Sequence, residues 1–273
     1  MGHKRKTHAE TTIPWYPHIV ARSLLAYSFY VVSAALFVTL GALLLTPIML
    51  VLGQKRGHRV TGPLLQGFAF VHTRLLMPGL GLYRFREIAG RAYLKAQPVS
   101  IYIANHRGRV DAPLLLSFLP NTGAVIKGKY ARVPLYATLI KYFDFVCVDT
   151  TSLRGLQAAL ERARALLAQG RNLLIFPEGA RSPGTRALAF GSFAFQLAAD
   201  TGLPVTPIVL HNDSPFTARR LASYLPLHTV NYTLHVLAPV SAQPGESTAQ
   251  FAERVRELMQ RELDGLDQPS PAA

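Results

Sequence analysis

The hydrophobic pattern of this chain changes texture twice. From Ser23 to Gln54 there is no charged residue and no histidine, and the run contains Val31-Val32-Ser33-Ala34-Ala35-Leu36-Phe37-Val38. A bilayer core takes roughly 20 such residues as a helix, so the run predicts a membrane-anchoring helical segment, with a helix buried in a domain core as the bland alternative. It is far longer than the ~7 to 15 apolar residues of a secretory signal, and no small-residue cleavage site follows it closely. Basic residues flank both ends, Lys4-Arg5-Lys6 and Arg22 before it and Lys55, Arg56 and Arg59 after it, so the positive-inside bias does not orient it. A tilted single span and a re-entrant hairpin both fit. Pro47 bends or interrupts the helix near its end.

After Gly62-Pro63, apolar positions from Leu64 to Met77 fall near helical spacing beside Arg74. Two readings are equally open: an amphipathic helix lying on a membrane surface, or one packed on a domain. From Gly81 the texture changes to short β-branched runs, Leu82–Ile88, Val99–Ala104, Gly123–Ile126, Phe143–Val148, Asn172–Phe176, Val205–Leu210 and Val230–Ala238. Between them lie helical patterns such as Leu153–Ala168, where Leu156, Leu160, Ala163 and Leu167 make one stripe. This alternation predicts an α/β fold with a mixed, largely parallel central sheet flanked by helices. Gln250–Leu263 reads as a last amphipathic helix and Asp267–Ala273 as a frayed tail. The division expected is a basic N-terminus with the anchoring segment over residues 1–60 and an α/β domain over residues 61–273, with no internal repeat.

Composition sharpens this picture. The 273 residues are 49% hydrophobic and 16% charged, with a net charge of +14, which excludes a disordered chain. The first 99 residues carry twelve basic and two acidic side chains, so the positive charge gathers beside the apolar run. One cysteine, Cys147, makes no internal disulfide, and no Cys/His cluster has metal-ligand spacing. Set between Val146 and Val148, the thiol reads as packing rather than as a nucleophile.

Three segments carry candidate chemistry. The strand ending at Ala104 empties into Asn105-His106-Arg107-Gly108-Arg109-Val110-Asp111, at the strand end where open α/β sheets place their sites. Five residues apart, His106 and Asp111 do not share a face of a regular helix, but a turn containing Gly108 can bring them together. Asp111 would then fix the imidazole tautomer and leave the second nitrogen to take a proton from a hydroxyl. The simpler reading is a capping aspartate near a surface histidine. The second segment, Phe176-Pro177-Glu178-Gly179-Ala180-Arg181-Ser182, joins a glycine that lets backbone approach an anion to an arginine that can grip phosphate; alternatively Glu178 and Arg181 pair with each other on a surface loop. The third, Lys127-Gly128-Lys129-Tyr130-Ala131-Arg132-Val133-Pro134, puts three cations past a strand end. Its likeness to a P-loop fails because Tyr130 stands where a hydroxyl must hold magnesium. No G-x-S-x-G elbow occurs, and Gly79-Leu80-Gly81-Leu82-Tyr83-Arg84 fails the dinucleotide pattern at its third position.

Taken in order, with Leu203-Pro204-Val205-Thr206-Pro207-Ile208 as a fourth motif, these segments resemble the lysophosphatidic acid acyltransferase (1-acyl-sn-glycerol-3-phosphate O-acyltransferase) family over roughly Leu82 to Leu210. The resemblance implies that His106 and Asp111 are the catalytic pair and that Lys127, Glu178, Gly179 and Arg181 bind substrate. This chain departs from the family pattern at Ala180 for threonine, Lys129 for glutamate, Tyr136 for glycine and Thr150 for arginine, changes that bear on the acceptor rather than on the reaction type. The implied activity is acyl transfer from acyl-CoA or acyl carrier protein to the sn-2 hydroxyl of 1-acylglycerol 3-phosphate, giving phosphatidic acid without an acyl-enzyme.

The expected partners are a lysophospholipid acceptor, the thioester donor as co-substrate and an anionic membrane surface. No metal, cofactor or nucleic acid is expected, and the place is the inner membrane with the α/β domain facing the cytoplasm. The rival readings are acyl transfer to another lysolipid, such as a lyso-ornithine lipid, and a non-catalytic membrane-anchored binder of acidic partners.

Overall fold

The computed structural model describes residues 17–95, 97–182, 186–214 and 228–267; the basic run Lys4 to Lys6 and the tail beyond Asp267 lie outside them. Among the described residues seven strands form one sheet: β1 (Tyr83–Ala89), β2 (Ile101–Ala104), β3 (Thr122–Lys127), β4 (Val146–Val148), β5 (Asn172–Ile175), β6 (Val205–Asn212) and β7 (Val230–Val236). Their order across the sheet is β1-β7-β6-β2-β5-β3-β4. Every neighbouring pair is parallel except β6 with β7, so the sheet is mixed and largely parallel, as the alternation of runs predicts. All seven expected strands are present, with ends displaced by a few residues.

Strand β2 shows why the runs read as they do. Its four side chains are all buried, Ile101 and Ile103 against one apolar cluster and Tyr102 and Ala104 against another. A strand covered on both faces needs apolar residues at every position, not at alternate ones. Each such fully buried aliphatic side chain contributes roughly 1.5–3 kcal/mol. One face is covered by α5 (Leu153–Ala168), α6 (Phe193–Thr201) and α7 (Thr248–Asp267), which bring Ala163, Leu166, Phe195, Phe251, Val255 and Met259 into the core. The other is covered by α3 (Asp111–Leu116), α4 (Pro134–Tyr142) and the N-terminal helices.

Those N-terminal helices settle the shape of the apolar run. Helix α1 (Pro17–Phe70) is interrupted at Gly53, whose φ of 71° and ψ of 163° lie in a region essentially confined to glycine. The chain folds back there into two arms. Phe37 stacks on Phe68 with ring centroids 4.4 Å apart, and Ser33 Oγ meets His72 Nε2 at 2.5 Å. Of the two shapes open to the sequence, the structure adopts the hairpin. The second arm runs on through a π-helical turn, Val71–Leu76, into α2 (Met77–Gly79). The boundary expected at residue 60 falls within this arm. The helix expected over Leu64–Met77 is packed on the domain through Leu65, Ala69, His72 and Met77, while Leu64, Phe70, Val71 and Leu75 are exposed. Within the first arm, Val20–Phe37 is long and apolar enough to cross a membrane.

Candidate active site

The strand order brings the three candidate segments together. β5 lies between β2 and β3, so the loops that follow these three parallel strands open side by side at one edge of the sheet. Residues separated by more than seventy positions in sequence become neighbours.

Beyond Ala104 the ladder is continued by a side chain. The Asn105 amide donates from Nδ2 to the Leu210 carbonyl at 2.8 Å and accepts the Leu210 N–H at 2.7 Å. With Asn105 fixed on β6, the chain turns, and Asp111 enters as the first residue of α3. Its Oδ2 accepts the His106 ring at Nδ1 (2.9 Å) and the backbone N–H groups of Arg107 and Gly108 (2.7 Å each). The capping reading does not hold: Val110 is the N-cap of α3 and no side chain caps it, whereas the Asp111 carboxylate closes the turn before the helix and meets the imidazole. Asp111 is fully buried while the His106 ring remains 20% exposed. Nδ1 is engaged, so Nε2 is the nitrogen available to a substrate. Phe176, from the neighbouring loop, stacks on the imidazole with centroids 4.3 Å apart.

Glu178 takes a different place from the one expected. Its two carboxylate oxygens accept backbone N–H groups, Oε1 from His106 at 2.7 Å and Oε2 from Leu188 at 2.9 Å; it neither pairs with Arg181 nor presents an oxygen for substrate. The His106 carbonyl in turn accepts the Ser182 N–H at 2.7 Å. The backbone of His106 is therefore gripped on both sides by the loop after β5. Burial pushes the Glu178 carboxyl up from its ordinary value, against the lowering effect of the two N–H donors. Backbone partners leave no mark in side-chain chemistry, so the sequence signals a charged residue here but not what it holds.

Cations gather around this mouth. The Lys127 side chain reaches over Gly179, whose φ is 58°, and its Nζ lies 3.9 Å from where a β-carbon would stand. A side chain at position 179 would meet strain from the positive φ, with its β-carbon in ordinary contact with the lysine. Arg181 Nε is buried without a hydrogen-bond partner among the described residues, as suits a guanidinium awaiting an anion. Arg181 and Arg109 both act on the Tyr136 phenol, and Arg109 acts also on Tyr27 of the first arm. Tyr130 and Tyr136 pack with centroids 4.8 Å apart, and burial pushes the Tyr136 phenol up. Arg109 and Tyr136 were not among the expected substrate contacts. Arg109 is nonetheless legible as a cation inside the His106–Asp111 segment, and Tyr136 as the departure from glycine noted above.

The remaining candidates fall away from this mouth. Cys147 lies within β4, where burial and Asp149 push its thiol up, against a nucleophilic role. Among the described residues no group of His, Cys, Asp and Glu side chains is arranged to hold a metal ion.

Comparison with known proteins covers the stretch that holds these segments. A family model described as acyltransferase matches residues 86–211. The 1-acyl-sn-glycerol-3-phosphate acyltransferase of Cocos nucifera is 33% identical over 113 residues, covering 41% of this chain and 37% of that protein. The enzyme of that description from Borreliella burgdorferi is 28% identical over 123 residues, 44% of this chain and 49% of its own. The chain thus aligns with less than half the length of these curated relatives. The crystal structure of the 1-acyl-sn-glycerophosphate acyltransferase PlsC from Thermotoga maritima superposes with a TM-score of 0.69 at 20% identity, over 93% of this chain and all of that one, which shows that the fold is shared.

Proposed function

We propose, from the premise that this chain belongs to the acyltransferase family, that it transfers a fatty acyl group from a thioester donor, acyl-CoA or acyl carrier protein, to the sn-2 hydroxyl of 1-acylglycerol 3-phosphate. The observation that carries the reading is the 2.9 Å contact between His106 Nδ1 and the buried Asp111, which orients the ring with Nε2 toward the open side. His106 Nε2 takes the proton as the hydroxyl oxygen attacks the thioester carbonyl carbon. The tetrahedral intermediate collapses with cleavage of the C–S bond, and the proton passes from the imidazolium to the departing thiolate. No acyl-enzyme is required. General base catalysis of this kind supplies about 10²- to 10⁴-fold, so the grip of Glu178 and Ser182 on the His106 backbone matters as much as the base itself.

Arg181, with Lys127 over Gly179 and Arg109 across the mouth, receives the acceptor's phosphate. The exposed side chains at the hairpin bend, Leu50, Val51 and Leu52, enter the bilayer and hold the site where its acceptor resides. The basic first third adds attraction to anionic lipids of roughly 1 kcal/mol per residue near the surface.

The test is a panel of lysolipids, including 1-acylglycerol 3-phosphate and a lyso-ornithine lipid, offered with each donor type to purified protein and followed by mass spectrometry. Phosphatidic acid formation that disappears in His106→Ala, with the variant still folded and membrane-bound, is the expected result. Turnover by another acceptor alone would move the assignment to that lipid. Near-normal turnover by His106→Ala would remove the base.

A further inference from the structure

The loop after β5, which grips the His106 backbone, is itself held from outside the site. Glu178 accepts the His106 N–H on Oε1 and the Leu188 N–H on Oε2, so one carboxylate ties the base to the point where the loop returns toward α6. One residue earlier in that return, the Ala187 N–H donates at 2.9 Å to Oε1 of Gln260, a buried side chain of α7 that lies 73 positions away. The Ala187 side chain packs on the apolar cluster to which Val255, Met259 and Leu263 of α7 belong. Ser182 closes the loop, its Oγ donating to the Arg186 carbonyl at 2.6 Å while its N–H holds the His106 carbonyl. A path of hydrogen bonds thus runs from α7 through residues 187 and 188 to Glu178 and ends on the His106 backbone.

The chemistry at position 260 is selective. Gln260 Nε2 donates to Asp264 Oδ1 at 2.7 Å, one turn further along α7. An ionised carboxylate only accepts and a backbone N–H only donates, so these two partners require one donor and one acceptor on a single side chain, which an amide supplies. Gln260 belongs to none of the sequence motifs, the last of which ends at Ile208, and its own hydrogen bonds go to Ala187 and Asp264 rather than to the dyad. We propose that Gln260 is a positioning residue for the base: by fixing the return of the loop at Ala187 it presents the Leu188 N–H to Glu178, and so keeps the Glu178 carboxylate on the His106 N–H. The C-terminal helix thereby takes part in placing the imidazole. This inference rests on the reading of His106 as the base.

The experiment uses the full chain in lipid–detergent micelles and reads kcat, the denaturation midpoint and, by NMR, hydrogen exchange of single amides, which needs no turnover. Gln260→Met keeps the length and burial of the side chain without a polar atom. Its kcat is expected to fall about tenfold, within the ~10²-fold that a misplacement of roughly 1 Å costs, and exchange at Ala187, Leu188 and His106 to quicken while the amides around Val255 in α7 stay protected. Gln260→Glu keeps the acceptor for Ala187 and sets two carboxylates one turn apart, so it loses stability yet holds the wild-type kcat. A merely structural role would make kcat follow the midpoint instead. In a Glu178→Gln background, where the link is already weakened, Gln260→Met costs less than it does alone. Gln260→Lys, which keeps a donor for Asp264 and lacks the acceptor, replaces the methionine variant should that one not fold. Unchanged kcat and exchange in the methionine or lysine variant, a glutamate variant as slow as the methionine one, or losses at 178 and 260 that multiply in full overturn the proposal. Retained turnover in His106→Ala overturns the base assignment instead, and exchange at His106 still decides whether Gln260 holds that backbone.

Discussion

Arg181 and Glu178 stand three residues apart in one loop and do unlike work. Arg181 carries a buried Nε with no hydrogen-bond partner among the described residues, so on the proposed reading its removal deprives an anionic acceptor of a charge-assisted contact made in both ground and transition states. Arg181→Ala is expected to raise KM for 1-acylglycerol 3-phosphate by roughly tenfold to a hundredfold with a smaller change in kcat, as steady-state assays with varied acceptor will show. Equal loss for a neutral acceptor would remove the phosphate contact. Glu178→Gln keeps one acceptor oxygen for two backbone N–H groups and is expected to destabilise by about 1–3 kcal/mol. Because burial raises the proton affinity of Glu178 on folding, the wild-type carboxyl adds stability at low pH that is lost as pH rises through its raised value. The deficit of Glu178→Gln should therefore widen as pH falls from neutral toward 4.5, measured by chemical denaturation of both proteins across that range. The dyad was legible in the sequence because a glycine-bearing turn after a strand can join residues five apart. The partners of Glu178 were not, since any residue offers a backbone N–H.

At the scale of elements, the strands were legible because a parallel sheet covered on both faces demands short runs that are buried at every position, as Ile101 to Ala104 and Asn172 to Ile175 show. The hairpin was only half legible. Hydropathy reports that an apolar run exists, whereas its reversal depends on the backbone angles of one glycine. Gly53→Val places a β-branched side chain at a φ of 71° and is expected to cost about 1–3 kcal/mol, read as a lower denaturation midpoint. The fold-back itself has a direct check. In a Cys147→Ser background, Ser33→Cys combined with His72→Cys should oxidise readily to an intramolecular disulfide, because those side chains meet across the arms. A continuous span would hold them apart and give none.

At the scale of the whole molecule, the apolar bend and the cationic mouth belong to one unit, because Thr46 Oγ1 and Tyr142 OH lie within hydrogen-bond distance and Thr61 donates to the Tyr142 carbonyl at 2.7 Å. The anchor is thus packed on α4 rather than tethered by a linker. Val51 at the bend is 83% exposed, so it is free to enter lipid as proposed. Val51→Glu is expected to weaken partition into vesicles by roughly a hundredfold, given roughly 2.5–3.5 kcal/mol for an acidic group deep in a bilayer. Flotation assays with anionic vesicles measure this, and unchanged flotation would place the bend outside the membrane. Arg22 at the start of the first arm lies against the backbone of Gly81, which opens the α/β domain. On the proposed reading, in which the bend alone enters the lipid, neither Arg22 nor the basic stretch Lys55 to Arg59 has to cross the bilayer. Fluorescent fusions at either terminus would then report one and the same compartment, and the membrane could be dressed with this protein from a single side.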